Sequence, residues 1–582
     1  MQKSELKEAI WYDKPMETLP KSQREFWLLF LVLICFGLIL IFYKYFNKTS
    51  QTIQSPLISA AIIPHHDLAE NQRKALLAQV AAQIKPPTII IVSPNHFEAG
   101  GANIITTNKT WKLENAVVEP NTDKIVELTN DGSILNDEAA FSREHGITNV
   151  LSDINLNFPD AKIIPIIIKQ STNKESIGSL ANKLDQICRG CLLIVSVDFS
   201  HYQPGALAEI HDIYSIKTLE NLDEEGIYKA EVDSQQSLAL AIKWAKLNQT
   251  ETFHLVENTN SAKLLNEPDS ESTSYVLGWY EAGQSNINSD LAFMLAGDTM
   301  FARYVDYRYR GKNLKNVFAN LGERFFWGTD LSILNLEGPI SIEDTSPSLD
   351  PNNLIFHFPP ETANVLGWLN LNAVNLANNH TLNGGEEELA NTQKMLRDRG
   401  IKTIGTQNSL GIETIDKVTI ITLNTGEVST DISKEIVVAK QTGSFIIIFV
   451  HWGNEYQKTH SSAQQRLAHT WIDQGADLIV GSHPHVIQDA ETYKNRPIFY
   501  SLGNFLFDQY FSGETQKGLV LAGGIKDNKL KLVLIPININ KDLQPEILRG
   551  EDKQKIIDQL KEGMGITIGN NDYGHDIIEI EM

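Results

Sequence analysis

The chain has 582 residues, 42% of them hydrophobic, and a formal net charge of −22. That length allows about two to four domains with cores of ordinary size. The acidic balance argues against a nucleic-acid partner, which needs clustered Lys and Arg, and three cysteines are too few for a disulfide framework. After a tail at residues 1–25, residues 26–43 are apolar without a charge, the length of a helix that crosses the hydrocarbon core. They carry no polar face, as a core helix would, and the bulky, basic Tyr43-Lys44-Tyr45-Phe46 follows instead of the small residues of a cleavage site. Lys3, Lys7, Lys14, Lys21 and Arg24 precede this segment, and Lys44 and Lys48 follow it. The positive-inside rule then predicts a single-pass protein of the cell membrane, with a cytoplasmic N-terminus and its bulk outside.

Residues 57–281 read as an α/β domain with a mainly parallel sheet: an apolar strand at 57–63, a helical pattern at 68–84 and a second buried strand at 88–92. Polar motifs follow the strands. The first runs into Pro64-His65-His66-Asp67, the second into Ser93-Pro94-Asn95-His96, and a later one at 192–197 into Asp198-Phe-Ser-His201-Tyr202, while Glu144-His145 precedes a predicted helix. Ligands of open α/β sheets bind at the carboxyl ends of the strands, so these side chains are expected to converge on one cleft. The cleft reads either as a metal site or as a polar pocket whose histidines satisfy one another. Cys188-Arg-Gly-Cys191 reads as a redox pair, a short-loop disulfide or two unrelated thiols.

This stretch, above all Asp198-Phe-Ser-His201-Tyr202 and the closing Thr273-Ser-Tyr-Val-Leu-Gly278, resembles the Memo family (AmmeMemoRadiSam system protein B), whose fold is similar to the extradiol dioxygenases. The resemblance implies that His65, His96, His145 and His201 are pocket histidines. It also implies a cysteine ligand late in the domain, and here the matching region reads Glu231-Val-Asp233. Asp233 stands in as substitute, and a His/His/Asp set favours harder, iron-like coordination over copper.

Residues 282–289 are small and polar and read as a linker. From residue 290 five apolar runs each end in a polar motif: Gly297-Asp298, Asn335-Leu-Glu337, Asn378-Asn379-His380, His451-Trp-Gly453 and Gly481-Ser-His483-Pro-His485. Carboxylates, amides and imidazoles at one end of five strands suit one or two divalent ions, oxygen donors neutralising charge and nitrogens fixing geometry.

These motifs, with Tyr500-Ser-Leu-Gly-Asn504-Phe505, occur over residues 290–542 in the order of the CapA family, associated with poly-γ-glutamate capsule synthesis, which this half resembles. The implied fold is the α/β sandwich of the calcineurin-like metallophosphoesterases. The resemblance makes Asp298, Glu337, Asn379, His451, His483 and His485 metal ligands and His380 the general acid, and Arg303 is positioned in sequence to hold a phosphate oxygen. The implied cofactors are divalent metal ions, with Mn, Fe or Zn as candidates, and a separate metal in the Memo-like domain. Met300 stands where the wider fold places a histidine, and Glu337 where it places a bridging Asp, which weakens one of two metal positions. The charged extension 543–582 reads as an edge strand or peripheral helix. Three functions remain open on sequence: an anchored metal-dependent hydrolase of envelope or capsule polymer metabolism, a non-catalytic protein that binds or assembles an anionic polymer, and a redox metalloenzyme acting through the Memo-like domain.

Overall fold

Buried β-rich runs alternating with helices build two α/β halves in the computed structural model, which describes residues 57–268, 270–284, 287–343, 346–350, 352–565 and 577–581. In the first half Ile58–Ile63, Leu192–Ser196, Thr88–Pro94 and Lys162–Ile168 lie side by side and parallel. Helices cover both faces, which is why these strands are continuous apolar runs. Leu76, Leu77 and Val80 of Glu70–Gln83 pack on one face, and Ile177, Leu180 and Leu238 of Lys174–Ile187 and Gln235–Leu247 on the other. Antiparallel Ser274–Glu281 and Thr252–Asn260 extend one edge, and Ile104–Thr106 the other. Cys188 and Cys191 form a disulfide in the turn before Leu192–Ser196.

The second half is a two-sheet sandwich. Leu291–Thr299, Leu331–Leu336, Ala373–Asn375 and Lys402–Ile404 run parallel in one sheet, which continues through the long hairpin Lys517–Lys526 and Lys529–Ile539. Val418–Asn424, Phe445–His451, Leu478–Ser482 and Arg496–Phe499 run parallel in the other. Phe293, Leu295 and Ile333 of the first sheet share a core with Ile420, Ile447, Phe449 and Val480 of the second. The helices Ser433–Gln441 and Ser462–Gln474 cover the second sheet's outer face through Ile436, Ala468 and Trp471. The C-terminal extension supplies both expected forms, a helix Gly550–Met564 and a strand Ile577–Glu581 paired to Lys529–Ile539.

One helix ties the halves together. Gly205–Glu220 is buried around almost its whole circumference although it carries polar residues, and those find partners: His211 meets Ser200, Asp212 accepts from Ser274, and Glu209 and Lys217 are ion-paired. Its Ile210 and Tyr214 join one continuous core with Val276 and Tyr280 of the first half and Ala292 and Met294 of the second. Glu209 pairs with Lys263 of the first half and Lys531 of the second, and Lys217 pairs with Asp330. Pro56–Met582 accordingly forms one compact unit. Within the expected linker, Asn288 exchanges hydrogen bonds with Asn221 at the end of this helix.

The expectation of a single-pass membrane protein is corrected. No helix among the described residues is long and apolar enough to cross a membrane. The longest of them, Gly205–Glu220, has 16 residues, short of the roughly 20 that a span requires, and it carries Glu209, Asp212, Lys217 and Glu220. Residues 26–43, on which the anchor and the localisation rested, lie outside the described residues.

Candidate metal centres

The second-half site forms where the carboxyl ends of both parallel strand sets meet, the place such sheets reserve for ligands. Asp298 ends Leu291–Thr299, Glu337 follows Leu331–Leu336, His451 ends Phe445–His451, and His483 and His485 follow Leu478–Ser482. Gly481 makes the last strand possible, since a Cβ there would lie 1.9 Å from the Tyr500 carbonyl oxygen. His483 and His485 both adopt left-handed backbone, with φ of +97° and +56°, local strain of the kind found at ligand clamps.

Asp298, Glu337 and His485 bring one donor atom each within 4.8 Å of one another. His485 Nδ1 lies 3.2 Å from Asp298 Oδ2, and His485 Nε2 lies 3.8 Å from Glu337 Oε2. Asn335 bridges the two carboxylates, its Nδ2 donating to Asp298 Oδ1 at 2.8 Å and to Glu337 Oε1 at 2.9 Å. Its Oδ1 accepts from Asn375 and Asn378, each at 3.1 Å. His451 Nε2 is 2.8 Å from Asn379 Oδ1, and its Nδ1 is 3.8 Å from Glu337 Oε1. His483 donates its backbone N–H to Asp298 and sets its ring 4.6 Å from that of His451.

The charges are uneven. Burial raises the Asp298 carboxyl, but the bond from His485 and the nearby imidazoles outweigh it and hold the group below the ordinary range. Burial and the Asp298 charge together push Glu337 well above it. Burial, then neighbouring His483, depresses His451. Glu337 Oε2 is buried and has no hydrogen-bond partner. A buried acid pair with one orphaned oxygen, faced by imidazoles, fits a divalent cation.

Two residues given roles from sequence are differently engaged. Arg303 bonds Asp508 through Nε at 3.2 Å and again through Nη2, with its guanidinium over Phe356. The side chain read as a phosphate clamp is thus held by a carboxylate. His380 directs Nδ1 to Asn383 Oδ1 at 3.1 Å and Nε2 to the Asn379 amide at 3.3 Å. Burial holds it down to about 4, so the imidazole is neutral at pH 7 and presents an Nε2 lone pair. Met300 is buried in the core, its Sδ accepting from the Ala302 N–H, and offers no donor to the site.

The first-half donors also converge. His65 Nε2 lies 3.2 Å from Asp198 Oδ2 and 3.4 Å from Asp233 Oδ2, and His96 Nε2 lies 3.8 Å from the same Asp233 oxygen. His145 stacks on His96 at 4.0 Å. His96 Nδ1 is 2.5 Å from Glu144 Oε1, and its backbone N–H donates to Glu144 Oε2 at 3.0 Å. This fixes the ring with Nε2 directed at Asp233, the carboxylate–histidine device of metal sites. Burial opposes the charge on His96, but the Asp233 and Glu144 bonds raise it to about 9. Asp233 Oδ1 is buried without a partner, and this set too fits a cation. His201 lines the same cavity of about 840 Å3 but is not among the grouped donors. Its backbone N–H donates to Glu231 Oε2 at 2.9 Å.

Asp198, Glu144 and Asn335 all belong to the polar motifs read from sequence, which assigned them no role. The signal that could have found Asp198 was its place as the first polar residue after Leu192–Ser196. Asp508 carried no signal, because its partner lies 205 positions away.

The comparisons define a class: a Memo-like domain joined to a domain like those of bacterial capsule-synthesis proteins. Residues 41–278 match the family described as Memo-like protein, and residues 292–429 and 413–509 match Bacterial capsule synthesis protein PGA_cap. Among individual proteins, the PGA biosynthesis protein CapA of Bacillus subtilis (strain 168) is 28% identical over 292 residues, 46% of this chain and 76% of that protein. The capsule biosynthesis protein CapA of Bacillus anthracis is 27% identical over 303 residues, 47% of this chain and 73% of that protein. A MEMO1 family protein of Caldivirga maquilingensis is 29% identical over 177 residues, 29% of this chain and 63% of that protein.

Proposed function

We propose that the second half is a divalent-metal-dependent hydrolase of phosphoester type that serves synthesis of an anionic capsule or envelope polymer. The buried Asp298–Glu337–His485 cluster with its orphaned Glu337 oxygen carries this reading. Asp298, Glu337 and His485, with His451, His483 and Asn379 beside them, would hold the ions. When bound, such ions polarise a phosphoryl oxygen and acidify water. Asn335 keeps the two carboxylates in register, and its Asn375 and Asn378 partners keep Asn335 from turning. His380, neutral at pH 7, would take up at Nε2 the proton that the attacking water loses and return it to the leaving oxygen. The first-half donors would hold a separate cation.

The Arg303–Asp508 pair favours a second reading, in which the metal centre binds a carboxylate polymer without hydrolysing it, because the arginine then has no phosphate to hold. Turnover decides between them. Full-length protein loaded with Mn, Fe or Zn is assayed on phosphomonoesters and phosphodiesters, with His485→Ala as control. Metal-dependent turnover lost in the variant supports the hydrolase. Metal-dependent retention of poly-γ-glutamate without turnover of either ester class supports the binder.

A further inference from the structure

The 840 Å3 cavity holding the first-half histidines is not built by the first half alone, because residues 319–324 of the second half form one of its walls. The contact is specific. Arg324 donates through Nη1 to the Val232 carbonyl, and the same nitrogen lies 3.9 Å from Glu231 Oε1. Four residues on, the Gly328 N–H donates to the Lys229 carbonyl at 2.9 Å. Gly328 has φ of +66°, and a Cβ there would lie 3.1 Å from the His211 Cβ and 3.4 Å from the Glu231 Cβ, so the two segments run in close contact.

The strapped segment carries the donor that the sequence places where the cysteine is missing. Val232 bridges to Phe199 in antiparallel register, the Asp233 N–H donates to the Asp198 carbonyl at 3.0 Å, and the Asp198 N–H returns a bond to Asp233 Oδ2 at 3.0 Å. Glu231 meanwhile holds the His201 backbone. Fixing residues 231–232 therefore fixes both carboxylates that face His65 and the backbone of His201. From the second half, Arg324 and Gly328 reach this segment, at the Val232 and Lys229 carbonyls.

We infer that the first-half cavity is a composite site for a divalent cation, with its donors from the first half and its wall from the second, and that Arg324 is its positioning residue. Arg324 acts by clamping the 231–232 backbone so that the Asp233 oxygen stays opposite His65 and His96. A neighbour that orients a ligand in this way is worth about ten- to a hundred-fold in metal affinity. The inference rests on reading the first-half donors as a cation site.

The test uses full-length chain and cobalt(II) alone as probe, followed by its visible absorption, which reports coordination geometry. Wild type is expected to bind in two components, one lost in His65→Ala and the other in His485→Ala. Arg324→Ala is expected to weaken the His65-dependent component by about ten-fold or more and to alter its spectrum. Arg324→Lys should restore part of it, and the His485-dependent component and the melting temperature should stay at wild-type values. A His65-dependent component of wild-type affinity and spectrum in Arg324→Ala overturns the positioning role. Loss of both components with a lowered melting temperature also overturns it, in favour of general destabilisation. Absence of any His65-dependent component removes the cation reading itself, and the inference with it.

Discussion

His211 offers a direct measure of how tightly the two halves are joined. It is fully buried in Gly205–Glu220, where Nδ1 meets Ser200 Oγ at 3.0 Å and the Phe325 backbone of the second half lies beside it. Burial holds its imidazole down to about 3, with the Phe325 backbone pulling weakly the other way. The folded protein keeps His211 neutral, whereas the unfolded chain takes up a proton below about pH 6.5. Stability from this residue is therefore complete above 6.5 and drains away as pH falls toward 3. At pH 5 the loss is about 1.5 pH units at 1.36 kcal/mol each, or about 2 kcal/mol. His211→Gln does not titrate and at pH 8 costs about 1 kcal/mol for the altered hydrogen bond. Denaturant unfolding of both proteins at the two pH values should show wild type more stable at pH 8 and His211→Gln more stable at pH 5, since other titrating groups are common to both. A gap that stays constant or widens in favour of wild type would refute the burial argument.

Lys217→Met strands the buried Asp330 carboxylate and should cost about 3–5 kcal/mol at pH 8. Burial raises Asp330 to about 6 even with Lys217 present, and removing the lysine raises it further, so acidification below 6 should recover part of the loss in urea titrations. Glu337→Gln should remove the part of the metal-induced stabilisation that the second-half site contributes, about 2.7 kcal/mol at a metal concentration of 100 Kd for that site. Thermal melts with and without Mn2+ check it, and an equal shift in both proteins would exclude Glu337 as a ligand. Gly481→Ala, with no room beside Tyr500, should cost about 1–3 kcal/mol and weaken metal binding through the displaced His483 and His485.

Much of the fold was legible because parallel strands covered on both faces are written as unbroken apolar runs. Those at 57–63, 88–92 and 192–197 fall on Ile58–Ile63, Thr88–Pro94 and Leu192–Ser196. The convergence of the candidate donors was legible for a related reason: a strand's carboxyl end is where its hydrophobic pattern stops, so Asp298, His451 and His483 stand out by position. What pattern does not carry is which distant segments meet. Nothing near Arg324 points to Val232, and nothing near Arg303 points to Asp508, because pairings over such separations are made by the tertiary fold. The Gly205–Glu220 helix shows the same limit, since Glu209, His211, Asp212 and Lys217 disguise its burial in the sequence and their partners, Lys531 and Asp330 among them, are distant. The apolar segment at 26–43 carries a period-free signal and lies outside the described residues.

The most direct test of the metal account is anomalous diffraction from crystals of the protein soaked in Mn2+. An anomalous peak among Asp298 Oδ2, Glu337 Oε2 and His485, absent in Glu337→Gln crystals, is the predicted result. A soaked wild-type crystal with no peak between those side chains would contradict it.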